Sequence, residues 1–325
     1  KWAITLLASF GVIASTFMVG TAIWLVSSAL GAPLPYIWAL VFGALISPTD
    51  PVAVLGILKT VNVPRPLEAK IAGESLFNDG VGVVVFTILL AIAAGGPHSN
   101  LGAFEVASLF VVEALGGALL GIAAGYIAYM AMRGIDEHNL EVLITLALVT
   151  GAYALALQLH ISGPIAVVVA GLFIGNHGAR FAMSENTRQH VFQFWELADE
   201  ILNSVLFLLI GLEVLVVGLN SEFAVQTLLA IPIVLIARWI AVATPITLLA
   251  IRETFTAGAI PLLTWGGLRG GISVALALSL PNVAEKPVIL TMTYAVVVFS
   301  IVVQGLTMKP LVKRTIPSPE PEENE

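Results

Sequence analysis

The sequence predicts an all-α polytopic membrane protein with about ten transmembrane helices. Of its 325 residues, 58% are hydrophobic and only 11% are charged, and the mean hydropathy is +0.99. Soluble domains carry about 25% charged residues, so this composition excludes a soluble globule. The apolar residues form runs close to the roughly 20 residues that a helix needs to cross a bilayer. The runs cover residues 2–30, 35–58, 67–94, 103–132, 141–159, 163–176, 192–218, 223–250, 257–280 and 288–308.

Basic residues give the topology of these ten runs, because short cytoplasmic loops collect Lys and Arg. With the N-terminus inside, eleven of the fourteen basic residues fall on the inner side and Lys286 alone on the outer side. Arg238 and Arg269 lie within membrane segments. We therefore count the short run 163–176 as a crossing, and we expect residues 311–325 to form an acidic cytoplasmic tail. The chain starts at Lys1 and enters an apolar run at once, so we also expect it to be N-terminally incomplete.

The third run contains polar residues that an ordinary membrane helix lacks. Glu74, Ser75, Asn78 and Asp79 lie within two helical turns, ahead of a fully apolar stretch. Residues one turn apart share a helix face, so Ser75 lies over Asp79 and Glu74 over Asn78. Placing an ionisable group at membrane depth costs about 2.5–3.5 kcal/mol on insertion scales, which makes a functional role the default interpretation.

Two other runs are interrupted. The second contains Ser47-Pro48-Thr49-Asp50-Pro51, in which two prolines remove backbone donors. The ninth contains Gly266-Gly267-Leu268-Arg269-Gly270-Gly271, with a charge between glycines. The runs lie seven positions apart, so they cross the membrane in opposite directions. Such a pair of interrupted helices points to a midplane binding site in a secondary transporter.

The chemistry of these residues favours a small cation. Carboxylates, hydroxyls and freed carbonyls are hard oxygen ligands, and so few charges suit a monovalent ion better than a divalent one. A proton and a cation would compete for the same oxygens, and alternating access would turn that competition into exchange. Glu74 and Arg238 are predicted to form a bracing ion pair, since either charge alone would be costly. Arg269 is expected to compensate the unwound helix ends, although a purely structural role stays open.

Five stretches of the sequence resemble the sodium/proton antiporters of the cation:proton antiporter-1 family, which includes the prokaryotic NhaP-type proteins and the animal sodium/hydrogen exchangers. In chain order they are SPTDPVAV, GESLFNDGVGVVVF, SGPIAVVVAGL, IARW and GGLRGGISVALALSLP. The resemblance implies a thirteen-helix fold with inverted repeats and two crossing broken helices, of which this chain would hold helices four to thirteen. Residues 1–94 and 223–310 would form the ion-binding core, 103–132 a linking helix and 141–218 part of a dimer interface.

The same resemblance implies roles for the polar residues. Asp79 would bind the ion or the proton, together with Asp50, the Ser75 hydroxyl and the Thr49 main-chain carbonyl. Asn78 would border the site, and an Asn-Asp pair in place of two aspartates implies electroneutral one-for-one exchange. We therefore expect a homodimeric antiporter of Na⁺, and possibly Li⁺, for H⁺ in a prokaryotic inner membrane. We expect no enzymatic activity, no cofactor beyond the transported ions and no nucleic-acid partner.

Three alternatives are open at this point. A potassium/proton exchanger of the same family would use the same ligands. An intramembrane aspartyl protease would use Asp50 and Asp79, but the GxGD pattern is absent and Asp79 follows Asn78. A cation channel would need a continuous pore with repeated ligand rings, which two opposed broken helices do not provide.

Overall fold

The computed structural model describes residues 2–50, 65–95, 103–217, 223–249 and 258–315. Within these ranges the regular structure is helical, and the one β-type pairing is a single bridge between Asp50 and Leu268. This confirms the prediction of an all-α chain. Most of the predicted acidic tail, residues 316–325, lies outside the described residues, and so does Pro51.

The described helices follow the predicted runs in order. Their bounds are α1 Trp2–Ala29, α2 Tyr36–Ile46, α3 Arg65–Ala93, α4 Ala103–Met132, α5 His138–Gln158, α6 Gly163–Phe173, α7 Ala179–Phe181, α8 Glu185–Val217, α9 Ala224–Leu249, α10 Ala259–Trp265, α11 Gly271–Leu278, α12 Lys286–Phe299 and α13 Gly305–Thr315. Two π-helical segments, Ile174–Gly178 and Ser300–Gln304, join α6 to α7 and α12 to α13.

Six stretches of the described chain are long and apolar enough to cross a membrane. They are Phe10–Ala29, Ser108–Met132, His138–Gln158, Gly163–Phe181, Ala224–Leu248 and Lys286–Thr315. The sixth predicted run, expected to end at residue 176, continues through the π-helical segment to Phe181 and reaches 19 residues. The backbone stays helical past His177 and Arg180, as far as Phe181.

The chain divides into two compact units. The first comprises residues 1–82 and 216–325, and the second comprises residues 83–215. In the first unit α1 packs against α2 and α9. Gly43 lies so close to the Thr16 carbonyl that a β-carbon there would overlap it, so only glycine permits this approach of α2 to α1.

An apolar cluster in the first unit fixes the position of α10. Leu262 and Leu263 of α10 pack against Val242 and Ile246 of α9 and against Met308 of α13. In the second unit α4 packs against both α5 and α6, around the buried Met132 and Ile174. All the described residues predicted to form the ion site belong to the first unit.

Candidate functional site

The site begins where α2 stops. Residues Trp38 to Ile46 of α2 are buried, and the helix ends at Ile46 because Pro48 prevents the regular hydrogen-bond pattern from continuing. Ser47 turns back and donates its hydroxyl to the Gly43 carbonyl over 2.6 Å. The backbone then continues outside any helix through Thr49 to Asp50, with Thr49 only 1% exposed.

The second interruption meets the first. α10 ends at Trp265 and α11 starts at Gly271, and the intervening residues 266–270 are buried. The Asp50 amide donates to the Leu268 carbonyl over 2.8 Å, which forms the single antiparallel bridge of the described chain. The two interrupted runs predicted from the sequence are therefore joined by their own backbones at the points where their helices break.

Arg269 donates hydrogen bonds to carbonyls that have no helical partner at the first break. It is 2% exposed, and its Nη1 donates to the carbonyls of Ser47 at 2.5 Å and Pro48 at 2.8 Å. Buried carbonyls need partners, and prolines in this stretch cannot supply helical donors to them. A guanidinium supplies several donors in a fixed plane, so one side chain serves two acceptors.

Gly270 allows Asp50 to lie directly against the second break. An ideal Cβ at Gly270 would fall 2.8 Å from the Asp50 Cβ and would overlap its Oδ2. Real β-carbons do not approach this closely, so a larger residue would displace the Asp50 side chain. The glycine thus leaves room for the Asp50 side chain at the second break.

Three polar side chains join α3 to the first break. The Asn78 Nδ2 donates to Thr49 Oγ1 over 2.7 Å, and its Oδ1 accepts from the Thr49 amide at 3.3 Å. The Thr49 and Ser75 hydroxyls are 3.3 Å apart. Asn78 is completely buried and Ser75 is 3% exposed. Their hydrogen bonds hold this face of α3 against the unwound segment 47–50.

Asp79 lies one turn after Ser75 on α3, and both Asp79 and Asp50 are half-buried. They differ in this from Ser75, Thr49 and Asn78, which are buried. Among the described side chains of this region, the two carboxylates are therefore the partly accessible acidic groups, while the neutral side chains form its packed wall. Oxygen ligands of this kind suit a hard cation or a proton.

Arg238 also lies at the second break. It is 7% exposed, and its Nε and Nη2 donate to the Leu263 carbonyl at 3.3 and 3.0 Å. No sequence pattern predicts this carbonyl acceptor on α10. The Glu74 side chain lies outside the described residues, so the predicted Glu74–Arg238 ion pair stays a prediction.

Gln304 and Ser300 form hydrogen bonds next to the second break, although no sequence motif predicts their role. The Gln304 Nε2 donates to the Trp265 carbonyl at the end of α10 over 3.0 Å. Its Oε1 accepts from the Ser300 hydroxyl over 2.6 Å within the π-helical segment. Gln304 is 1% exposed. A glutamine near the end of the apolar run 288–308 was the available signal.

Comparisons with known proteins agree over nearly the whole chain. A family model described as "Sodium/hydrogen exchanger, transmembrane" matches residues 1–314. The Na(+)/H(+) antiporter NhaP of Pseudomonas aeruginosa is 50% identical over 97% of this chain and 74% of its own length. The Na(+)/H(+) antiporter NhaH of Halobacillus dabanensis is 40% identical over 95% of this chain and 75% of its own length.

A solved structure shares the fold. The sodium proton antiporter MjNhaP1 of Methanocaldococcus jannaschii superposes with a TM-score of 0.74 at 19% sequence identity. The match covers 95% of this chain and 77% of the solved chain. At this identity the likeness concerns the architecture, and it agrees with the helical fold and the six membrane-length stretches described above.

Proposed function

We propose, from the premise that this chain belongs to the sodium/hydrogen exchanger family, that it exchanges sodium ions for protons across a membrane. The chain is an integral membrane protein. Its family is a family of transporters, and this argues against the alternative of an intramembrane protease. Support for exchange comes from relatives named as Na(+)/H(+) antiporters that cover almost all of this chain.

The observation that carries the proposal is the meeting of two broken helices beside half-buried carboxylates. Asp79 is the group that binds the cation or the proton, with Asp50, the Ser75 hydroxyl and the Thr49 main-chain carbonyl as further ligands. Supporting this assignment, the Thr49 and Ser75 hydroxyls are 3.3 Å apart, and the Asp50 amide donates to the Leu268 carbonyl at the second break. Asn78 borders the site and fixes Thr49 rather than binding the ion.

Exchange follows from competition at these carboxylates. A bound cation or a bound proton each neutralises the same group, and a neutralised site crosses the low-dielectric interior at a lower cost than a bare charge. If the site changes exposure only when it is loaded, one ion moves in for each ion that moves out. Asn78 carries no charge, which supports electroneutral exchange of one sodium ion for one proton.

Several further features belong to the proposal. The protein would work as a homodimer in a prokaryotic inner membrane, with its C-terminus in the cytoplasm. The excess of basic residues on one side of the predicted topology supports this orientation. Potassium/proton exchange is the second candidate, because carboxylate, hydroxyl and carbonyl oxygens bind both alkali ions.

The experiment that tests the function is a proton-flux assay in sealed vesicles at clamped voltage, with sodium, lithium, potassium and calcium added separately. We expect sodium and lithium to drive proton movement, and we expect the rate to be independent of the clamped voltage. Proton flux driven by potassium but not by sodium would show that potassium, not sodium, is the exchanged cation. A rate that follows voltage would contradict electroneutral exchange.

Arg238 provides a test of the bracing ion pair. We expect Glu74→Gln and Arg238→Ala each to lower the melting temperature in detergent, because each leaves one buried charge without its partner. Breaking a buried pair costs about 3–5 kcal/mol. The double variant should lose less than the sum of the two single losses. Additive losses would show that Arg238 donates to the Leu263 carbonyl without forming an ion pair with Glu74.

A further inference from the structure

The C-terminus of α10 presents four carbonyls to the second break. The last four carbonyls of a helix have no donor within the helix, and in α10 they belong to residues 262–265. Two of them accept from the backbone that follows. The Gly266 amide donates to the Leu262 carbonyl over 2.8 Å, and the Gly267 amide donates to the Thr264 carbonyl over 3.4 Å. The following backbone thus serves the first and the third of the four acceptors.

Side chains from two other elements serve the second and the fourth. Arg238 of α9 donates to the Leu263 carbonyl, and Gln304 donates its Nε2 to the Trp265 carbonyl over 3.0 Å. Both side chains are buried, and a buried acceptor that loses its donor costs free energy. The end of α10 is therefore held by α9 and by the π-helical segment Ser300–Gln304 as well as by its own backbone.

The Ser300 hydroxyl fixes the orientation of the Gln304 amide. It donates to Gln304 Oε1 over 2.6 Å, so the oxygen of the amide faces Ser300 and its nitrogen faces Trp265. An amide turned the other way would place its oxygen against the Trp265 carbonyl, and two acceptors cannot form a hydrogen bond. Ser300 and Gln304 are each 1% exposed, so the pair is shielded from solvent.

The space beside this pair is almost filled. A cavity of about 10 Å³ lies between α9, the second break, α12 and the π-helical segment. Its polar side chains are those of Arg238, Arg269, Ser300 and Gln304. A volume of this size holds at most one water molecule. Bulk water therefore cannot replace a donor that is lost from Gln304.

Glycines separate the end of α10 from the residue that pairs with Asp50. Gly266 and Gly267 lie between Trp265 and Leu268, and the Leu268 carbonyl accepts from the Asp50 amide over 2.8 Å. Glycine restricts its backbone less than any other residue. The position of Leu268 therefore depends on what holds the end of α10.

We propose that Gln304 is a positioning residue for ion exchange. Its hydrogen bond to Trp265 holds the end of α10, and through Leu268 this fixes where Asp50 lies. Ser300 contributes by orienting the Gln304 amide. The role in exchange rests on the proposed function, whereas the effect on the second break does not, so the two are measured separately.

The first test follows amide hydrogen exchange in the full chain purified in detergent. Gln304→Met keeps the length of the side chain and removes the donor. We expect the amides of residues 266–271 to exchange about fivefold faster than in the parent, the factor that corresponds to one net hydrogen bond. Unchanged exchange in this stretch would overturn the proposal.

Gln226→Met is the matched control. Gln226 is 4% exposed, belongs to the same compact unit and donates its Nε2 to the Ala32 carbonyl over 3.1 Å. It is therefore another buried amide that joins two elements. We expect its loss to speed exchange around Ala32 and to leave residues 266–271 as in the parent. Equal acceleration of residues 266–271 in both variants would show general destabilisation and would overturn a specific role of Gln304.

Ser300→Ala provides a milder second variant. It keeps the Gln304 donor but removes the hydroxyl that orients the amide, and it deletes a single oxygen atom. We expect amide exchange in residues 266–271 to rise by less than in Gln304→Met. An unchanged rate in this stretch would overturn the proposal, even if Gln304→Met does not fold.

Sodium-driven proton flux in vesicles tests the link to exchange. Because Gln304 acts on the geometry of the ion ligands, we expect Gln304→Met to raise the sodium concentration for half-maximal rate about fivefold. The maximal rate per folded protein should change less, and Gln226→Met should change neither quantity. An unchanged half-maximal concentration in Gln304→Met would refute the role in exchange.

Gln304→Glu separates the donor from the bulk of the side chain. A protonated carboxyl donates to the Trp265 carbonyl, whereas a carboxylate only accepts. Arg238 and Arg269, which line the adjacent cavity, keep their charge at every pH used. Each variant is compared with the parent at the same pH, because protons compete with sodium in both.

We expect the ratio of the half-maximal sodium concentrations of Gln304→Glu and the parent to approach one as pH falls and to rise as pH rises. Gln226→Glu should show no such trend. A ratio independent of pH would show that Gln304 only fills space and would overturn the proposal. Absence of exchange in the parent would instead refute the proposed function, and the amide exchange of residues 266–271 would still decide whether Gln304 positions the second break.

Discussion

Asp79→Asn is expected to reduce sodium-driven proton flux in vesicles to the level of vesicles without protein. Asparagine has nearly the shape of aspartate, but it neither accepts a proton nor neutralises a cation. The carboxylate of Asp79 is half-buried one turn from Ser75. Its removal leaves the cation with neutral oxygen ligands and without the anionic ligand at this position. The remaining oxygens cannot compensate the charge of a desolvated ion.

The matched control is Asp136→Asn, the same chemical change at an exposed aspartate in the other compact unit. We expect flux close to that of the parent. The melting temperature of the Asp79→Asn protein is measured alongside, so that a loss of transport is distinguished from a loss of folding. Flux of a tenth or more of the parent's in Asp79→Asn vesicles would refute the assignment of Asp79.

Arg269→Gln is expected to lower the stability of the protein strongly. Arg269 is almost fully buried and donates to two carbonyls of the other broken helix. Hydrogen bonds from charged groups contribute about 1.5–3 kcal/mol each, so losing both costs about 3 kcal/mol or more. The junction that holds Asp50 depends on the same contacts, so we expect exchange to be lost as well.

Melting in detergent measures this effect, with Arg188→Gln as the control. Arg188 forms an exposed ion pair with Glu185 at 2.8 Å, and such pairs contribute at most about 1 kcal/mol. Arg269→Lys should recover little, because an ammonium group cannot reproduce the planar donor set. If Arg269→Gln melted at the temperature of the control, Arg269 would not hold the two breaks together.

The sequence was informative where composition and backbone chemistry act directly. Two prolines beside Asp50 and a run of glycines around Arg269 each stop a helix whatever surrounds them. The apolar runs likewise predict membrane-length helices, and six such stretches are present among the described residues. These features made both interruptions and the helical class predictable.

Contacts with backbone carbonyls could not be predicted in this way. Every residue carries a carbonyl, so nothing in the sequence marks Leu263 as an acceptor for Arg238 or Trp265 as an acceptor for Gln304. Such pairings arise only when the helices pack. The π-helical segment Ser300–Gln304 has the same origin, since its apolar sequence is also compatible with an α-helix.

Competition between one cation and one proton at Asp79 and Asp50 is the central claim, and sodium titration of the purified protein tests it most directly. Calorimetry in two buffers of different ionisation enthalpy gives the number of protons released for each sodium ion bound. We expect about one proton to be released for each sodium ion bound to a protonated site, the apparent sodium affinity to fall as pH falls, and Asp79→Asn to release no protons. Sodium binding with an affinity independent of pH and with no proton release would contradict it.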